Sequence, residues 1–158
     1  MLPSVRRVAH IDLWITALRA PQIRKLAEQG VLQLSLFDEQ ALAEVRTPAF
    51  PEERLVVCRN PILAHERARK REDLLKATER ELEKIAQATG RPLRKLKGKD
   101  KIAFKVGKVV NKFKMAKHFH LSMGEESFSY ERKEASIARE ASLDGIYVIR
   151  TSLTKETL

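Results

Sequence analysis

Apolar residues gather in short blocks towards the two ends of this chain and in thin periodic seams between them. "LWITAL" (13–18) is almost continuously apolar and predicts a buried strand. Pro21 then opens a short helix over 22–29, and Gly30 closes it. In "VLQLSLF" (31–37), Leu32, Leu34 and Leu36 alternate with polar neighbours, which predicts a half-buried strand. "EVRTPAFPEE" (44–53) holds two prolines and reads as a loop, and "RLVVCR" (54–59) reads as another short strand. Near the far end, Ile146, Tyr147, Val148 and Ile149 run β-branched and aromatic after the turn pair Asp144-Gly145. That pattern predicts a strand buried on both faces.

The middle changes period. Asn60-Pro61 is a helix start, with Asn as cap and Pro in the first helical position, and the helix should run to Thr89. It is highly charged, with Glu66/Lys70 and Glu72/Lys76 as Glu-to-Lys pairs four apart. Its apolar seam is thin (Ala68, Leu75, Leu82, Ile85), which suits packing on one partner helix. After a basic linker, "GRPLRKLKGKD" (90–100), Asp100 caps a second helix over 101–117. At 100° per residue, Ile102, Val106, Val109, Val110 and Phe113 share one face. Lys101, Lys105, Lys108 and Lys112 form a separate stripe spread over roughly 60°. The two helices are expected as an antiparallel hairpin with the lysines outward. "HFHLSM" (118–123) and "SFSYER" (127–132) flank Gly124-Glu125-Glu126 as a β-hairpin, and "KEASIAREAS" (133–142) is a short helix. A strand lies near each end and a long helical excursion between. The visible supply of sheet partners is thin, so the remaining strands are expected to lie outside the chain.

Charge sharpens the picture. The net charge is +10, and the segment 91–117 alone carries eleven Lys/Arg against one acid, Asp100. The remainder is neutral, so the whole excess sits in one segment. A localised positive field of this kind points to a polyanionic partner. Its phosphate contacts would come from Arg94, Lys95, Lys97, Lys99, Lys101, Lys105, Lys108 and Lys112. Phe104 lies beside the stripe and could touch a sugar or base. The length of 158 residues suits one domain or a piece of a larger protein. The single cysteine, Cys58, excludes an intramolecular disulfide and fits a reducing cytoplasm. The N-terminal stretch lacks the apolar core of a signal peptide, and no apolar run approaches the ~20 residues of a membrane span.

Other candidate chemistry is weak. "GKD" (98–100) lacks the glycine spacing and the Ser/Thr of a phosphate loop. His118 and His120 would share a strand face at the surface, but with Cys58 distant they make no zinc site. Cys58 reads as a small buried apolar residue and Trp14 as core. Asp144 reads as a turn residue before a strand.

The phrases "LWITALRAPQIRKLA" (13–27), "LQLSLFDE" (32–39), "ERLVVCRNPILAHERARKRE" (53–72) and "LDGIYVIRTSL" (143–153) resemble bacterial insertion-sequence transposases of the DDE type. The resemblance implies an α/β (mixed α+β) chain, a fragment of an RNase H-like domain with a helical-hairpin insertion. Residues 1–59 would supply core strands and the start of the insertion, 60–117 the charged hairpin, and 118–158 a β-hairpin, short helix and returning core strand. In that family three carboxylates hold two Mg²⁺ ions, about 3.5–4 Å apart in two-metal sites, for attack on phosphodiesters. The chain departs from the pattern: it has no Asp-Arg-Gly, Asp12 is followed by Leu-Trp, and Asp144 by Gly-Ile. It is expected to lie between the second aspartate's phrase and the glutamate helix. No catalytic or metal-binding residue is therefore assigned to it, and Mg²⁺ belongs to the full-length family. The implied partners are transposon-end DNA, held at the phosphate backbone near the nucleoid, with a dimer in the full-length context and no membrane. The alternatives are a non-catalytic basic nucleic-acid-binding protein and a structural remnant without function.

Overall fold

The computed structural model describes residues 13–33 and 41–153. The elements are β1 (Ile15–Ala17), α1 (Ala20–Glu28), β2 (Leu42–Val45), β3 (Arg54–Arg59), α2 (Pro61–Gly90), α3 (Lys99–Phe113), a 3₁₀ turn (Ala116–His118), β4 (Phe119–Met123), β5 (Phe128–Arg132), α4 (Glu134–Ala141) and β6 (Ile146–Thr151). The chain is thus mixed α and β. It divides into two compact units: residues 1–61 with 145–158, and Ile62–Asp144. Among the described residues no helix is long and apolar enough to cross a membrane.

The first unit is built on a four-stranded sheet in the order β1-β6-β3-β2, with every pairing antiparallel. β6 therefore finds partners on both sides within the chain, in place of the external strands expected for it. Register explains its burial. Val148 faces Val57 and Ile149 faces Val56, so successive residues alternate between faces. Ile146 and Val148 are buried while Tyr147 is 38% exposed. The face of Ile146 and Val148 is buried, whereas the other runs from exposed Tyr147 through half-buried Ile149 to buried Thr151, so it is covered only towards the end of the strand.

Three other expectations change. "LWITAL" gives an edge strand of three exposed residues, because β1 pairs with β6 alone. Trp14 is half-buried, with the Arg150 guanidinium 4.9 Å above its ring, instead of sitting in the core. The segment read as a loop from residue 44 begins as β2, whose Leu42–Val45 pair with Leu55–Cys58 of β3. Ala43 and Glu44 are poor strand formers by composition; the partner strand decides their conformation. The strand expected over 31–37 does not form at 31–33, and 34–37 lie outside the described residues, as does Asp12. Cys58 is buried.

The second unit has its own core. Leu75, Leu82 and Ile85 of α2 meet Ile102, Val106 and Val110 of α3, with Met115, Phe119 and Phe128 completing the cluster. The buried positions of α2 are Arg71, Leu75, Thr78, Leu82, Ile85 and Thr89, a strict alternation of four and three. Ala68, expected in the seam, is exposed. The polar members are satisfied locally: the Thr78 hydroxyl donates to the Leu74 carbonyl at 2.7 Å and that of Thr89 to Ala86 at 2.7 Å.

α3 starts two residues before the expected position. Gly98 occupies the cap with φ +96°, a conformation that favours glycine, and Asp100 lies in the first turn. The helix ends at Phe113, with Lys114 left-handed. The β4–β5 hairpin follows as expected, and Tyr130 packs edge-on against Phe119 with ring centroids 6.2 Å apart.

Candidate nucleic-acid interface

Residues 91–97 fold back on the end of α2, where the Leu96 N–H donates to the Ala88 carbonyl at 2.9 Å. The turn between β4 and β5 then fixes the entry to α3. The Gly98 N–H donates to the Glu125 carbonyl at 2.7 Å. Lys95 and Lys97 both pair with Glu126, at 2.8 and 3.1 Å. These two lysines hold the Glu126 carboxyl below its ordinary range. Part of their charge is thereby spent inside the unit, which sequence spacing could not reveal.

Lys101, Lys105, Lys108 and Lys112 are all exposed along one side of α3. At 1.5 Å per residue, consecutive members stand about 4.5–6 Å apart along the axis. No acidic side chain among the described residues forms an ion pair with any of them. Lys108 lies 4.4 Å above the Phe104 ring and Lys112 lies 5.0 Å above that of Phe113. Arg94 and Lys99 are exposed in the connecting segment and at the first turn. Of the eight basic residues expected to contact DNA, six are thus exposed without an acidic partner among the described residues.

The row does not point straight away from α2. Lys105 and Lys108 line a groove of about 390 Å³ whose other wall is Glu81 and Lys84 of α2 with Arg91 of the segment that follows it. Because Arg91 and Ala88 share this groove with Lys105, and Glu81 acts electrostatically on Lys112, the two helices run antiparallel. Ile85, Leu96 and Val109 form the apolar floor. Lys84 and Arg91 escaped the sequence reading of contact residues. Arg91 lies just past the end of α2, so no helical spacing links it to Lys84, and only the fold-back of 91–97 brings the two to one groove.

The histidines separate. His118 lies in the 3₁₀ turn and is fully buried, whereas His120 on β4 is exposed. They share no face, because the turn rotates His118 inwards. Its Nδ1 is 3.1 Å from the Ser136 hydroxyl. Nε2 lies 3.3 Å from Glu140, out of line for a hydrogen bond. Burial pushes the imidazole below its ordinary pKa, against the opposing pull of Glu140.

Asp144 is held by Arg71 in a two-pronged pair, with Nη1 to Oδ1 at 3.0 Å and Nη2 to Oδ2 as the second contact. Arg132 likewise grips Glu72 and Glu79, at 2.7–3.0 Å. Glu72 and Glu79 join α2 to the hairpin, Asp144 joins α2 to the turn before β6, and all three are committed to guanidinium groups. Among the described residues no group of three His, Cys, Asp or Glu side chains is placed to hold a metal ion. The Mg²⁺ pair that the transposase resemblance implies therefore has no fitting donor set among these residues.

Comparison of the chain with protein-family models, curated proteins and solved structures gives no match.

Proposed function

We propose that this chain is a segment of a DDE-type insertion-sequence transposase with an RNase H-like core, and that it contributes DNA backbone contacts while the catalytic carboxylates lie elsewhere. The observation that carries the DNA-contact reading is the row of Lys101, Lys105, Lys108 and Lys112, exposed on one side of α3 without acidic partners among the described residues. The concentration of the whole net charge in 91–117 supports it. The transposase assignment rests on the sequence resemblance.

A second reading, a non-catalytic nucleic-acid-binding protein, is favoured by a different observation. β6 is paired on both sides within the chain, and the second unit has a core of its own. Both readings place a polyanion on the same lysines.

The test is DNA affinity measured against salt for the chain and for its Lys101→Ala/Lys105→Ala/Lys108→Ala/Lys112→Ala variant. If each lysine neutralises one phosphate, the slope of log K against log salt should shrink by about 3–4. Binding should weaken alike for all DNA sequences, because phosphate contacts carry no readout. An unchanged slope would overturn the reading.

A further inference from the structure

We propose that the groove between α2 and α3 is a binding site for single-stranded DNA, with the strand's phosphates on its basic lips and its bases on its apolar floor and on Phe104. The inference rests on the polyanion reading above and goes further, because it selects among nucleic acids.

The groove has the chemistry of both halves of a nucleotide. Lys84 and Arg91 rise on one side, and Lys105 and Lys108 on the other. Between them lie Ile85, Ala88, Leu96 and Val109. Helix axes pack about 8–10 Å apart, so the lips are close together. A duplex keeps its bases stacked inside, so it can rest only on the lips and touch phosphate. A single strand can turn its bases into the groove and bury their faces on that floor. The volume of about 390 Å³ falls within the range of sites for small ligands, which matches one or two nucleotides rather than a helix.

Phe104 supplies the second feature. It is 64% exposed, and at 100° per residue it falls on the opposite side of the lysine row from Val109, which lines the groove. Its exposed ring puts an aromatic surface directly beside the cationic row. Lys108 sits against the ring at 4.4 Å, leaving area for a base to stack. An aromatic platform beside a basic track is the combination by which proteins hold single strands without sequence preference. Leu93, in the segment between the helices, is 81% exposed and adds apolar surface near Arg91. The Glu81–Lys84 pair at 2.6 Å is an exposed contact, which a phosphate can replace at small cost.

The experiment uses the full chain with a fluorescein-labelled twelve-nucleotide oligothymidylate and a blunt duplex of the same length, read by anisotropy at fixed salt. The single strand should bind at least about fivefold tighter than the duplex. Phe104→Ala should weaken single-strand binding about tenfold, the scale of one lost base stack, and collapse the ratio of the two affinities. Arg91→Ala should also weaken single-strand binding. Phe104 and Arg91 are exposed, so unchanged melting curves confirm that the variants fold. Equal or tighter duplex binding, insensitive to Phe104, would overturn the single-strand site and leave the phosphate contacts of the lysine row standing. Failure to bind either DNA would overturn both.

Discussion

Asp144→Ala should destabilise the second unit severely, and the reason is the guanidinium it leaves behind. The Arg71 and Asp144 side chains are only 9% and 11% exposed. Arg71 occupies a position of the α2 seam that an apolar residue would normally hold, and its charge is tolerated because the carboxylate meets it with two hydrogen bonds. Truncating Asp144 strands that charge. Breaking a buried pair by removing one partner costs about 3–5 kcal/mol. A small domain holds only about 5–15 kcal/mol in total, so the loss is a large fraction of it. Urea unfolding followed by far-UV circular dichroism reads the effect, because α2 and α3 dominate the signal. With a urea slope of about 1–3 kcal/mol per molar, the midpoint should fall by at least about 1 M. The double variant Arg71→Met/Asp144→Leu should recover most of the loss, since apolar replacement of a buried pair is often neutral or stabilising. A shift within about 0.5 kcal/mol for Asp144→Ala, the range of an ordinary surface change, would refute the reasoning. It would also reopen Asp144 to a chemical role, because a carboxylate not needed by the fold is available for other work.

Two further outcomes follow from the polar contacts. His118 is buried with its pKa pushed below the ordinary 6.5, so stability should be complete above that pH. As the pH falls below 6.5, the unfolded chain takes up a proton that the buried ring resists, and stability should drop by up to about 1.4 kcal/mol per pH unit until the folded pKa is reached. His118→Leu should flatten this window, and an unaltered slope would assign it to other groups. Separately, Arg150 lies between Trp14 and Phe50, 4.9 and 4.8 Å from their rings, and also binds Glu53. Trp14 is the single tryptophan, so Arg150→Ala should red-shift its fluorescence, whereas unchanged emission would show that the stack does not form in solution.

Much of the architecture is legible in the sequence, and the parts that are not share a cause. Local signals sufficed where chemistry is local. The Asn60-Pro61 start, the hairpin around Gly124 and the apolar face of α3 follow from capping, turn and period rules. Long-range pairing was invisible. Leu42–Val45 becomes a strand because β3 lies beside it, and nothing in its own composition says so. The seam of α2 looks thin in sequence because Arg71, Thr78 and Thr89 are polar, yet each is buried with a hydrogen-bond partner. The lysine row could be drawn on a helical wheel. Which lysines stay free could not, because Glu126 reaches Lys95 and Lys97 from a turn distant in sequence. The groove was likewise hidden, since it needs Lys84 from α2 and Arg91 from the segment after it.

The connectivity requires the second unit to be ordered by its own contacts. β3 and β6 are hydrogen-bonded neighbours, yet residues 60–145 lie between them. Left as open chain, an excursion of that length would cost closure entropy that grows only slowly with length. The larger cost is ordering each of its residues, and that must be offset where the residues are. The second unit does so with its own apolar cluster and with the ion pairs of Arg71 and Arg132. The two ends of the excursion are fastened where they leave the sheet. Arg59 pairs with Ile146, and just beyond them the Asn60 N–H donates to the Gly145 carbonyl at 2.9 Å. Gly145 has φ +75°, which the turn into β6 requires and a side chain would resist. A strand pair closed in this way fixes its own register whatever fills the gap. The second unit, with an apolar cluster of its own, carries the lysine row of α3.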